Sequence, residues 1–304
     1  LAAPGVDQPG LVLVSTPIGN LGDMTIRGLA VLRAAGLVLC EDTRVTAHLL
    51  RHFGISCRTL ALHDHNEDSR IPEVLRELAG GATVALVSDA GTPLVSDPGY
   101  RLVRAALEAG LRVTAAPGAN AAVMALTLSG LPPHPYLFLG FPPPKAAARQ
   151  ACFARLRAAE RAGLGATLVM YESPHRAGET LADLAACFGA RPAALTRELT
   201  KRFEEVVRGS LPELAARFSA EEPRGEVTLV VGPPADEAVE RADLDSLLIA
   251  AMRTESVREA AAGVAAATGM ARRVVYARAL ELRQGGNMAP DAAKPLPADP
   301  SERV

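Results

Sequence analysis

Residues Thr83–Gly99 read TVALVSDAGTPLVSDPG. The apolar, β-branched run Thr83 to Val87 predicts a strand, Ser88 to Pro93 break it, and Asp97-Pro98-Gly99 precede a helical pattern reaching Ala109. Asp97 is expected as the N-cap and Pro98 as the first helical residue, which aims the free N–H groups of the helix back at the loop. In an open α/β sheet, ligands lie on loops that leave the carboxyl ends of strands. The small residues Ser88, Asp89, Ala90, Gly91, Thr92 and Pro93 let backbone approach a flat ligand, while Asp89 and Thr92 offer directed hydrogen bonds. Taken singly, the stretch reads more simply as an ordinary strand-to-helix turn.

The same unit recurs on both sides of it. Strands are predicted at Leu11 to Ser15, Leu37 to Cys40, Arg58 to Leu62 and Arg112 to Ala116, each followed by a polar loop and a helix. The helices fall at about Thr25 to Ala35, up to Phe53 with Gly54 as the C-terminal cap, around Ile71 to Leu78, and on to Leu128. Five such units predict a mostly parallel, helix-covered sheet whose polar loops gather on one edge, and that clustering marks a site more strongly than any single loop.

With 304 residues, 49% of them apolar, the chain holds more than one well-cored globular domain. A net charge of −2 excludes a bulk electrostatic attraction for nucleic acid, so any RNA contact must come from a local patch. Aromatics are 4% and Trp is absent, which argues against an aromatic platform for bases. Cys40, Cys57, Cys152 and Cys187 lack metal-ligand spacing and read as small core residues of a reducing compartment; no metal is expected. The first ten residues show no basic segment followed by an apolar core, and no apolar run reaches the roughly 18 residues of a membrane helix. A soluble, cytoplasmic protein is the expectation.

The sequence divides into a flexible N-terminus at 1–10, an α/β domain at 11–131, and a second α/β domain at 132–234 with a less regular pattern that predicts a mixed sheet. Residues 240–284 read as a helical appendage in which Gly269 turns between two amphipathic segments, and 285–304 as a disordered tail. In the appendage Arg272, Arg273, Arg278 and Arg283 face only Glu281 nearby, a modest basic patch or a solvated face.

Other chemistries were weighed on the residues. Glu41-Asp42 stand where a dehydrogenase places its ribose-binding acid, but the first loop is Thr16-Pro17-Ile18-Gly19-Asn20 rather than GxGxxG, and Pro17 removes a donor. Ser173 with His175 suggests a hydrolase, yet Ser-Pro-His at a helix start is more simply a cap and first turn. His63, Asp64 and His65 are adjacent after a strand and cannot all face one ion. What remains is a two-domain α/β protein with polar loops on one sheet edge, whose second domain brings Arg176, Arg197, Lys201 and Arg202 near a cleft. That suits an adenosine-like ligand and an anionic partner.

The ordered segments STPIGNLGDMTIR (from Ser15), EDTRVTAHLL (Glu41), HDHNE (His63), VSDAGTPLVSDPGYRLV (Val87), PGANA (Pro117), SGLPPHPYLFLGFPP (Ser129), YESPHR (Tyr171), RELTKRFEEVVRG (Arg197) and RGEVTLVVG (Arg224) resemble the bacterial 16S ribosomal RNA (cytidine 2′-O)-methyltransferases of the tetrapyrrole methylase superfamily. The resemblance spans Leu11 to Val231 and, more loosely, the helical tail. It implies two α/β domains with S-adenosylmethionine in the cleft between them, a small C-terminal helical domain, a homodimer, and methylation of a cytidine ribose in the decoding centre of the small ribosomal subunit. Cofactor positions implied are Pro17, Ile18, Gly19, Asn20, Ser88 to Pro93, Pro117, Gly118, Ala119, Met170 and Tyr171. Arg44, Arg176, Arg197, Arg202, Arg272 and Arg273 are the candidates for RNA contact, and Lys201, His175 and Asp42 for a catalytic base. Lys201 serves as a base only if its surroundings lower its pKa; otherwise it grips phosphate or polarises the hydroxyl. Two other readings stay open: a methyltransferase of this fold acting on a tetrapyrrole or other small acceptor, and a non-catalytic ribosome-assembly factor.

Overall fold

A computed structural model describes residues 8–234, 241–268, 270 and 272–284. The expectations for residues 1–7, for the Gly269 turn and for the tail at 285–304 lie outside the described residues. The chain divides into two compact units, Leu1–Pro233 and Pro234–Val304.

The first unit opens with β1 (Gly10–Val14), α1 (Ile26–Ala34), β2 (Leu37–Cys40), α2 (Thr43–His52), β3 (Thr59–Ala61), α3 (Glu67–Ala79), β4 (Thr83–Val87), α4 (Tyr100–Glu108), β5 (Val113–Ala116) and α5 (Ala121–Ser129). All five strands are parallel in the order β3-β2-β4-β1-β5, as the repeated strand-loop-helix pattern predicts. Burial follows position. The inner strands LVLC, TVALV and GLVLV are almost wholly buried, because helices cover both faces of a parallel sheet, while the edge strand TLA is only half-buried. Met24, Val31, Leu32 and Leu50 pack on one face, and Val74, Leu78, Leu102 and Ala106 on the other.

Two local readings are corrected. The helix after β4 begins at Tyr100, not Pro98, with Gly99 at its cap in the left-handed region at φ 119°. A Cβ on Gly99 would stand 2.6 Å from Leu86 Cδ2, so the chain turns here by glycine and Asp97 stays in the loop. The helix α3 starts at Glu67, four residues before the predicted Ile71, because the polar Glu67-Asp68-Ser69-Arg70 form its first turn rather than a loop. The Glu67 carboxylate is buried and accepts from the Leu102 N–H at 2.8 Å, which clasps α3 to the start of α4.

The second sheet contains β6 (Tyr136–Phe138), β7 (Thr167–Glu172), β8 (Pro192–Arg197), β9 (Glu205–Ser210) and β10 (Val227–Val231), in the order β6-β7-β10-β8-β9. It is mixed: β6 and β7 run parallel and the other neighbours antiparallel. Alternation in β7 sends Leu168 and Met170 into a core with α6 (Ala146–Arg161), α7 (Pro174–Phe188) and α8 (Leu211–Ala220). Val169 and Tyr171 face the opposite way, onto α5. That helix, AAVMALTLS, is apolar nearly all round, yet only one face is buried, against the second sheet, and Val123 and Met124 stay exposed. Its Ala122, Ala125 and Leu126 share a core with Val169, Ala194 and Val230 and with Ile18 of the first loop. The two sheets are thereby locked together.

Among the described residues of the second unit there are three helices where the pattern predicts two segments: α9 (Arg241–Ala251), α10 (Val257–Thr268) and α11 (Arg272–Gln284). The missed break is signalled by Ser256 and Glu259, whose reciprocal bonds at 3.1 and 3.3 Å make a capping box at the start of α10. Arg278 binds Asp245 of α9 at 2.7 and 2.6 Å as well as Glu281, so it is a tie between helices and not part of an open basic patch.

The helix α7, which carries residues 174–176 to the site edge, packs on α8 through Gly178. A Cβ there would meet Phe218 O at 2.7 Å and its carbonyl carbon at 3.0 Å, which are backbone atoms that cannot rotate away. Gly178→Ala is expected to destabilise this unit by about 1–2 kcal/mol, the overpacking exceeding the usual helical gain of alanine over glycine. A lower urea midpoint with unchanged slope checks this; an equal or higher midpoint contradicts it.

Candidate active site

Parallel strands deliver three loops to one edge, and backbone pairing joins them. Thr16 and Gly91 exchange N–H···O bonds at 2.8 and 3.1 Å, a two-residue antiparallel bridge between the loops after β1 and β4. Thr16 Oγ1 donates to Ser88 O at 3.1 Å, and Ser88 Oγ to Gly91 O at 3.0 Å. Thr92 Oγ1 donates to Ala119 O at 3.0 Å and lies 3.2 Å from Ser15 Oγ, which brings in the loop after β5. Gly118 completes the seam, since its Cβ would stand 2.9 Å from Ser15 Cβ.

The cofactor candidates therefore divide. Gly19, Asn20, Ala90, Pro117 and Gly118 are exposed on the joined loops, with Asp89, Thr92 and Ala119 half-buried between them. Pro17, Ser88, Gly91 and Pro93 are buried parts of the frame, although Pro17 and Ser88 still line the cleft. Ile18 is a core anchor under α5, and Met170 is wholly buried in the second sheet's core, so only its backbone is available. Tyr171 sits between Phe138 and Phe141, with ring centroids 4.9 and 5.5 Å away. Burial raises its phenol pKa, partly opposed by a bond from the Ala122 backbone at the start of α5. The cleft is also lined by Leu21, Val45, Thr46, His48 and Leu49, which the sequence reading missed. The amphipathic pattern of α2 hints at the last four, and nothing local marks Leu21.

A second hollow adjoins the first and shares Asp89 with it, lined by Glu41, Asp42, Thr43, Arg44, Ala61, His63 and His65. Asp89 Oδ1 accepts from the Asp42 N–H at 3.0 Å. Asp42 caps α2, and the Arg44 guanidinium grips its carboxylate at 2.6 and 3.0 Å. That grip holds the Asp42 pKa down to about 2, which removes it as a proton acceptor near neutrality. Burial, then Asp89 and Asp64, raise the pKa of Glu41. Among the described residues no group of three or more His, Cys, Asp or Glu is placed to hold a metal ion.

Across the cleft, Lys201 lies along the first loop. A Cβ on Gly19 would fall 2.4 Å from Lys201 Cγ and 2.8 Å from Cε. Its Nζ donates to Glu198 Oε1 at 2.9 Å and faces Glu226 Oε2 at 3.3 Å. Partial burial pulls the Lys201 pKa down, but the Glu198 bond and the Glu226 charge outweigh it and the net direction is up. These contacts favour the ammonium form of Lys201 over a neutral base.

His175 points outward, its side chain 78% exposed, and pairs with Glu222 at 2.5 Å. Ser173 caps α7 but makes no side-chain cap bond; its N–H goes to Glu172 Oε1 at 2.7 Å. The same buried carboxylate takes Arg176 at 2.5 Å and Thr180 Oγ1 at 2.6 Å. Arg197 pairs with Glu205 at 2.6 Å, so Arg176, Arg197 and Lys201 all stand at one edge of the second sheet already engaged by carboxylates. Arg202 is exposed, its guanidinium 5.7 Å from the exposed Phe203 ring, and Arg44 is 90% exposed beyond its contact with Asp42. Arg272 and Arg273 are exposed on α11 of the other unit.

Asp97 is half-buried near these carboxylates. Burial, followed by the charge of Glu41 and then of Asp89, pushes it up to about 6, partly opposed by the Ser88 hydroxyl. A carboxyl raised above its ordinary value of 3.8 holds its proton more tightly when folded, so its stabilising contribution is complete below that value and is lost as pH rises through about 6. Asp97→Asn is expected to flatten this segment of the pH–stability profile and to raise stability at neutral pH by about 1 kcal/mol, solvent screening holding the effect to that size. Urea midpoints measured from acid to neutral pH check it; an unchanged slope in the variant contradicts it.

Comparison with known proteins gives a consistent placement. The Tetrapyrrole (Corrin/Porphyrin) Methylases match residues 10–215, and the RsmI C-terminal HTH domain matches 238–283. A protein named ribosomal RNA small subunit methyltransferase I from Mesorhizobium japonicum is 47% identical over 278 residues, covering 91% of this chain and 93% of its own. Its namesakes from Micromonospora olivasterospora and Escherichia coli O157:H7 are 50% and 43% identical, over 88% and 90% of this chain and 85% and 96% of theirs. Among solved structures, diphthine synthase aligns at TM-score 0.55 with 16% identity, over 73% of this chain and 89% of that one. The methyltransferase CobJ aligns at 0.55 with 20% identity, over 75% and 95%. At these identities the two structures speak for the fold alone. The joined loops, the mixed second sheet and the extent of these matches place the chain in the tetrapyrrole (corrin/porphyrin) methylase family, among relatives named ribosomal RNA small subunit methyltransferase I.

Proposed function

We propose that this protein transfers a methyl group from S-adenosylmethionine to the 2′-oxygen of a cytidine ribose in 16S ribosomal RNA of the small subunit, in its decoding centre. The observation that carries the reading is Lys201, held as a cation across the Gly19 loop in a relative of ribosomal RNA small subunit methyltransferase I. The donor fits the cleft by chemistry. Exposed Gly19, Ala90 and Gly118 leave backbone open to a flat nucleoside, Leu21, Val45 and Leu49 give apolar lining, and Asp89 and Asp97 offer carboxylates to a cationic sulfur or ammonium. When bound, the donor supplies a methyl group activated by a positive sulfur.

The chain's own residues then align and stabilise. With the donor bound, the hydroxyl oxygen would take the methyl carbon as the carbon–sulfur electron pair passes to sulfur, and the hydroxyl proton would leave to solvent. Lys201 faces the negative charge of the acceptor oxygen or of its phosphate rather than taking the proton. Asp42 is too acidic to take it, and His175 is exposed and paired with Glu222. Arg202 and Arg44 are the exposed cations for backbone phosphates, with Arg176 and Arg197 beside them once their carboxylates are displaced or shared. A homodimer working in the cytoplasm belongs to the same reading. No helix among the described residues is long and apolar enough to cross a membrane.

A tetrapyrrole acceptor is the second reading, favoured by the family that matches residues 10–215 and opposed by the C-terminal helical domain at 238–283. Incubation with labelled S-adenosylmethionine, undermethylated small ribosomal subunits and, separately, a tetrapyrrole precursor distinguishes them. The expected outcome is label on one cytidine ribose. Label only on the pigment favours the second reading, and RNA binding without transfer favours an assembly factor. Lys201→Met is expected to lower turnover on the order of a hundredfold, with donor affinity little changed.

A further inference from the structure

Only three of the 32 Lys and Arg residues are lysines: Lys145, Lys201 and Lys294. In so arginine-rich a chain, the lysine at 201 calls for a physical reason. Its stem lies flat on Gly19, with Cγ, Cε and Cδ at 2.4, 2.8 and 3.1 Å from where a Cβ would be. A guanidinium there would extend beyond the compact position that Nζ takes between two carboxylates.

The support beneath Lys201 is more elaborate than a surface ion pair needs. Glu198 and Thr200 are non-glycine residues in the left-handed region, at φ 51° and 65°. Such conformations persist only where their surroundings over-determine them. Glu198 N–H donates to Glu226 O at 3.0 Å, Lys201 N–H to Glu198 O at 3.0 Å, and Thr200 N–H to Glu204 Oε2 at 2.7 Å. Glu198 Oε1 accepts both Lys201 Nζ at 2.9 Å and the Glu226 N–H at 3.1 Å. Gly225, at φ 83°, leaves the space: a Cβ on it would fall 2.1 Å from that oxygen.

We infer that Glu198 is a positioning residue for methyl transfer: seated in the space left by Gly225, its carboxylate fixes the Lys201 ammonium beside the Gly19 loop, leaving an N–H of Lys201 for an anionic oxygen of the RNA acceptor. This rests on the rRNA reading above. An acceptor oxygen arriving there meets a cation that needs no reorganisation, the condition under which a fixed charge lowers a barrier most.

Two variants disturb the seat by independent routes. Glu198→Gln keeps the shape and removes the charge; Gly225→Ala keeps the charge and displaces the carboxylate. Acylation of the folded full-length chain by acetic anhydride, read by mass spectrometry with exposed Lys145 as internal reference, reports how firmly Lys201 is held. The expected result in both variants is Lys201 acylation several-fold faster relative to Lys145, with kcat on small subunits lowered about tenfold or more and the KM for S-adenosylmethionine unchanged. Unchanged acylation, or unchanged kcat in a wild type that transfers methyl to the subunit, overturns the inference. A loss of activity that tracks only a lower melting temperature overturns it as well. If the wild type transfers nothing to rRNA, the rRNA reading falls and the acylation ratio alone decides whether Glu198 fixes Lys201.

Discussion

Two hydrogen bonds between Thr16 and Gly91 hold the site together. A parallel sheet brings its loops to one edge without fixing their relative positions, because each loop belongs to a different crossover. The antiparallel Thr16–Gly91 bridge ties the two loops just beyond the ends of the parallel strands β1 and β4, and the Thr92–Ala119 bond extends the tie to the loop after β5. Three flexible connections thereby become one surface. The small residues at 88–93 have a twofold use: some, such as Gly91, are buried to make the bridge, while Ala90 is left open above it.

The far wall of the cleft depends on α5, which belongs to the first sheet in sequence and to the second in packing. With Ala122, Ala125 and Leu126 buried against Val169, Ala194 and Val230, the two sheets share one apolar contact instead of moving as separate bodies. That sharing sets Tyr171 near the start of α5 and Lys201 on the Gly19 loop. Charge is handled differently on the two sides. At the first sheet edge burial, and after it neighbouring carboxylates, makes Asp97 and Glu41 hold their protons more tightly, whereas Arg176, Arg197 and Lys201 of the second are each matched to a glutamate. Carboxylates at one sheet edge and restrained cations at the other give the two edges opposite electrostatic character.

Much of this was legible in the chain itself. Strand positions came through because fully buried parallel strands leave continuous apolar runs, and the loops followed as the polar breaks after them. Helix starts were less legible. Asp97-Pro98 has the composition of a cap, but Gly99 and the packing of Leu86 move the start to Tyr100, and Glu67 begins α3 because a distant N–H, that of Leu102, needs its carboxylate. The lining residues Val45, His48 and Leu49 lay on a helix whose facing partner no local pattern names.

Sequence by itself determined the repeated strand-loop-helix order, the parallel sheet, the mixed character of the second sheet and the family, since these follow from periodicity and from motifs local to a few residues. Tertiary structure alone decided the state of each charge. Whether Lys201 is a base or a cation depends on Glu198 and Glu226, and Asp42 and Asp97 take opposite shifts although both are aspartates in loops ahead of a helix. A pKa is set by burial and by neighbours within a few ångströms; Arg44 and Glu198 are local to the groups they hold, but the burial of Asp97, the Glu41 charge beside it and the Glu226 charge beside Lys201 depend on segments that only the fold brings together.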